Sequence, residues 1–175
     1  MAMVIKITGH SAESFQKAAR QVEAYRDELI DNNAAFLSIL LDIGIMEGDK
    51  MNNSVARDYE PPTFDKEDPL MSGGNSPKML ATLSLVGEDA AFVEFGAGVH
   101  YNGEAGSSPH PWGAELGFTI GSYGYGLGKN DSWHYQSGAG WKTSKGTEAT
   151  MPLFHAGQAM RNNLMMVARR AFRSK

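Results

Sequence analysis

Between Phe36 and Met46 the chain is apolar around more of a helix than one neighbour can cover. Phe36, Ile39, Leu40 and Ile43 recur at three-and-four spacing and make one stripe. Leu37, Leu41, Ile45 and Met46 widen it well beyond the face of an ordinary surface helix. A helix of that girth, predicted over residues 34–54, must be buried from more than one side. In a small domain one of those sides is expected to be another subunit. Asp42 interrupts the apolar run, which is also shorter than the ~20 residues a bilayer requires, so no membrane partner is expected.

The remaining elements are placed around that helix. Ser11 is a good N-cap for a first helix running to about residue 31, with Phe15, Ala18, Ala19, Val22, Tyr25 and Leu29 as its apolar stripe. Asn32-Asn33 reads as a break or a bend. Val4 to Ile7 is β-branched and predicts a short strand. Residues 58–77 hold four prolines and five acids and predict a long loop. Two strands follow, over residues 78–86 and 90–95, joined by Gly87-Glu88-Asp89 as a hairpin. Met79, Ala81, Leu83 and Leu85 share one face of the first; Phe92 and Glu94 share one face of the second. A second long loop, rich in glycine and aromatics, is expected over residues 99–131. A hairpin around Ser137 to Gly140 then brings together Trp133-His134-Tyr135 and Trp141-Lys142-Thr143. Pro152 suits the first turn of a last helix over residues 152–172, whose basic end the helix dipole favours. The predicted class is α+β: N-terminal helices and a C-terminal helix packed on a small, mainly antiparallel sheet, in one domain with long loops.

Composition narrows the chemistry. At 175 residues the chain can bury roughly 70% of its unfolded surface without a staple. It has no cysteine, which excludes disulfides, thiol nucleophiles and cysteine-based zinc sites. The N-terminal MAMVIKITGHS has no signal-peptide core, so a soluble, unexported protein is expected. The net charge of −4 is uneven: residues 1–100 carry 16 acids and 8 bases, residues 101–175 carry 4 acids and 8 bases. Such asymmetry suits head-to-tail contact between copies, and ordinary unevenness accounts for it equally well.

In GSYGYGLGKND, Gly128-Lys129 is followed by Asn130, and Tyr123 stands where a phosphate loop needs its first glycine. Gly124, Gly126 and Gly128 are too closely spaced for a dinucleotide fingerprint. His10, His100, His110, His134 and His155 fit no metal-ligand spacing, although His100, His110 and Glu104 share a loop. Neither a metal nor a cofactor is expected, and no catalytic residue is assigned. Glu94 has three readings: a catalytic acid, a solvated strand residue, or a carboxylate at a subunit joint facing an arginine. The joint is the reading taken here, because a carboxylate buried without a partner costs several kcal/mol.

Phe92-Val93-Glu94-Phe95-Gly96-Ala97-Gly98 resembles the phrase F-[IV]-E-[FY]-G-[TS]-G of the small head–tail joining proteins (neck, or tail-completion) of long-tailed bacteriophages. Residues 146–154, GTEATMPLF, resemble that family's P-A-x-P-F-x-x-P-A phrase, with Pro152-Leu153 for Pro-Phe and Ala156-Gly157 for the later Pro-Ala. The order of elements is similar over most of the chain. The resemblance implies a non-enzymatic virion protein, assembled in the bacterial host cytoplasm. It would form a ring of six copies, alternatively twelve, at the neck. Its partners would be its own copies, the head-closure connector, and the tail terminator or tail tube protein. Viral DNA would pass through the lumen without sequence-specific binding. Phe92, Glu94, Phe95, Gly96, Gly98, Pro152 and Phe154 are then the expected subunit-interface residues, the two glycines allowing a sharp turn. The alternative is a small hydrolase with a loop-borne site at His100 or His110. A weaker reading is nucleic-acid binding by the basic last helix.

Overall fold

The structure is a computed structural model that describes residues 11–57, 59–73, 77–98, 108–113, 115–116, 133–138, 140–144 and 146–173. The class is α+β, as expected: two long helices, a short one, and paired antiparallel strands.

Helix α1 runs unbroken over Ala12–Asn52. Ser11 caps it as predicted, its Oγ accepting the Ser14 N–H at 3.3 Å. The break expected at Asn32-Asn33 does not occur. Asn33 donates from Nδ2 to the Leu29 carbonyl at 2.7 Å, so its amide is satisfied along the helix. Asparagine costs a helix only about 0.7 kcal/mol against alanine, which tertiary packing readily outweighs. The fused helix of 41 residues is about 61 Å long. By length and composition alone it can cross a membrane, a correction to the sequence-based expectation that read it in two pieces. The same apolar girth is what a helix buried against two elements of its own fold requires, and α1 has both.

The first is α3, Pro152–Ala171, antiparallel to the second half of α1. Phe172 meets Phe36 with ring centroids 6.0 Å apart, and Met160 lies over Gly44. The second is a hairpin of β1, Thr63–Ser72, and β2, Lys78–Val86. Phe64 of β1 lies so close to Gly48 that a Cβ there would stand 2.3 Å from its ring. Lys66 bridges to Asp42 at 2.5 Å. The wide apolar stripe of α1 is therefore covered in part by its own chain: Leu40 and Leu41 are buried, and Phe36, Leu37, Ile39, Ile43 and Ile45 are half-buried. Met46 remains outside that cover.

Two expectations fail in this region. Residues 58–77 are not a loop throughout, because β1 occupies their middle. Its acids point outward and its proline is absorbed: the register slips between Glu67 and Leu70, which places Pro69 at an irregularity where its missing N–H breaks no ladder. The predicted strand 90–95 is instead helix α2, Ala90–Phe95. Ala90-Ala91 favours helix, and Gly96, at φ 79°, ends it with its N–H on the Phe92 carbonyl at 2.7 Å. The inward face of β2 is as predicted, with Met79, Ala81, Leu83 and Leu85 half-buried. The hairpin of β4, Trp133–Ser137, and β5, Gly140–Ser144, also forms as expected. Between α2 and that hairpin, the two-residue strand β3, Ala97–Gly98, pairs with β6, Gly146–Thr147. The predicted strand at residues 4–7 and most of the 99–131 loop lie outside the described residues.

Candidate functional site

The two sequence phrases that stand apart in the chain meet in space. β3 and β6 pair, and the Val93 carbonyl accepts the Thr150 N–H at 3.0 Å. Met151, with φ 51°, turns the chain into α3 through the left-handed region, uncommon for a non-glycine residue. Arg57 holds that turn to the end of α1, donating to Thr150 Oγ1 at 2.9 Å and to the Asn52 carbonyl.

Helix α3 starts without a side-chain cap of its own, and Pro152 has no N–H to satisfy. The next two amides are orphan donors. Glu94 takes both: Leu153 N–H donates to Oε2 at 2.7 Å and Phe154 N–H to Oε1 at 2.8 Å. A carboxylate there also meets the positive end of the helix dipole. Glu94 is 4% exposed, so it has left water and found donors. Its third partner is His110, whose Nε2 lies 3.2 Å from Oε1. The Trp112 N–H donates to His110 Nδ1 at 3.1 Å, which fixes the neutral tautomer with its proton on Nε2. Ser108 closes the turn, accepting the His110 N–H at 3.1 Å and donating to the Phe95 carbonyl.

The sequence places Glu94 at a subunit joint facing an arginine; within the chain its partners are two amides and a histidine. It is buried, and it lies at the bottom of an open cleft. Gly96 and Pro152 are buried as well, and Phe92 is half-buried. Gly98 lies in β3. Of the expected interface residues, Glu94, Phe95 and Phe154 line an open cleft of about 400 Å³, together with Leu85, Ala91, Trp112 and Arg161. His110 forms part of its floor, with its ring 4.5 Å from that of Phe95 and 5.4 Å from that of Phe154.

Both ring nitrogens of His110 are occupied by Glu94 and the Trp112 amide, and the Ser108 hydroxyl is turned to the Phe95 carbonyl. Among the described residues, the Ser108 hydroxyl and the His110 ring are therefore not paired with each other. His100 lies outside the described residues. Among the described residues, no group of three or more His, Asp or Glu is placed to hold a metal ion.

Three participants escaped the sequence reading: His110 as the Glu94 partner, Trp112 as cleft wall, and Arg161 as its cation. SPHPWG, residues 108–113, carries the one available signal, since two prolines flanking a histidine before a Trp-Gly predict a rigid turn. Comparisons with protein-family models, curated proteins and solved structures found no match for this chain.

Proposed function

We propose that this chain is a structural, non-enzymatic protein that forms a ring at the neck of a long-tailed bacteriophage and joins tail to DNA-filled head. The observation that carries the reading is the outer face of the β1–β2 hairpin. Leu70 and Leu80 oppose one another there at 68% and 59% exposure, and Val86 is exposed on the same face of β2. A two-stranded sheet with apolar residues on both faces is marginal without further cover. Heterologous packing against sister copies supplies such cover and closes into a ring. The meeting of the Glu94 phrase with the approach to α3 supports the resemblance to neck proteins, because both of its sequence phrases serve one structural purpose.

The ring has six copies, or alternatively twelve, contacts the head-closure connector and the tail terminator or tail tube, and lets DNA pass without reading its sequence. The test is electron microscopy of particles made by a phage from which this reading frame has been deleted. Filled heads and separate, complete tails are expected. Normal tailed, infectious particles would refute the assignment.

A further inference from the structure

The cleft beside Glu94 is apolar along its walls and has a cation at its rim. Trp112 is half-exposed, and Phe95 and Phe154 are only half-buried. Arg161 is exposed and, among the described residues, makes no ion pair. Aromatic walls with an arginine are the composition of an interface anchor site. An occupant must therefore carry apolar side chains next to a carboxylate.

This chain displays such a surface elsewhere. In the hairpin register Glu67 opposes Thr82, and Leu70 opposes Leu80. Thr82 and Leu80 are two residues apart, so all four project from the same face. That face presents an acid that forms no ion pair among the described residues, beside two leucines that are mostly exposed. We propose that this face of one copy seats in the cleft of the next, with Leu70 and Leu80 against Phe95, Trp112 and Phe154, and Glu67 against Arg161. The inference rests on the ring reading and names its contact.

Geometry sets the mode. Leu85 of the same strand lines the cleft, five residues from Leu80, or about 17 Å along β2. A rigid hairpin cannot fold its own outer face into a cleft at its own base. Each copy therefore gives one surface and receives another, a heterologous contact that repeats around an axis. Glu94 and His110 serve it indirectly, by fixing the start of α3 and the Trp112 turn that wall the cleft.

Sedimentation velocity over a concentration series tests this on the full chain. Glu67→Arg and Arg161→Glu are exposed substitutions, and circular dichroism checks that each variant folds. Each reversal alone is expected to raise the assembly midpoint at least about tenfold, and the double variant to return it toward wild type. Leu70→Ser with Leu80→Ser is expected to abolish assembly. Wild-type midpoints in the single reversals and in the serine pair would overturn this contact while leaving the ring intact. A double variant no better than the singles would overturn the Glu67–Arg161 pairing. A wild-type chain that never assembles would overturn both the contact and the ring.

Discussion

A carboxylate that loses its water must find donors, and Glu94 finds three within its own chain. Replacing it with alanine strands two helix amides and the His110 N–H. The expected cost is about 2–3 kcal/mol of folding stability, measured by urea denaturation. Glu94→Gln keeps one acceptor and should lose about half as much. A Glu94→Ala chain of unchanged stability would remove the capping role. Tyr59 sets a second expectation. Burial pushes its phenol above the ordinary tyrosine value of about 10. A folded value above the unfolded one means the neutral phenol stabilises the fold. That contribution is whole below pH ~10 and is lost as pH rises through the folded value. Tyr59→Phe should therefore flatten the alkaline end of the stability–pH curve, and an unchanged alkaline slope would contradict it.

At the scale of elements, α1 is held at two glycines. Gly48 lets the Phe64 ring lie on the helix backbone. Gly48→Ala gains up to about 1 kcal/mol of helix propensity but overpacks the ring by about 1–3 kcal/mol, so a net loss is expected. Adding Phe64→Leu should recover most of it. The N-terminal half of α1 extends beyond the contact of Phe36 with Phe172, and its Phe15 and Val22 are 52% and 50% exposed. In an unassembled chain, hydrogen exchange should run faster over residues 12–30 than over residues 36–52. Equal protection of the two halves would contradict this. Local signals made these elements legible where they were strong: Ser11 and Pro152 mark helix starts, and the period of two along β2 marks its inner face. They failed where packing or a cap decides. A six-residue, mostly apolar run at α2 fits strand and helix alike. The acids and Pro69 hid β1 because its outer face is exposed and its irregularity absorbs the proline.

For the whole molecule, the sequence exposed the materials of the site but not their meeting. Nothing in the spacing of Glu94, His110 and Leu153 says that three segments converge, because that proximity is made by the pairing of β3 with β6 and by the turn at Met151. Part of the apolar surface of α1 is covered by α3 and the hairpin, while Met46 stays exposed. Further exposed apolar surface lies on the outer face of that hairpin and on the N-terminal part of α1. The proposed self-association would shield what the fold leaves wet. Native mass measurement of the wild-type chain, purified across a range of concentrations and also released from particles, tests this most directly. The account predicts one dominant species at about six, or alternatively twelve, times the 19.0 kDa chain mass. A single 19.0 kDa species from both sources would contradict it.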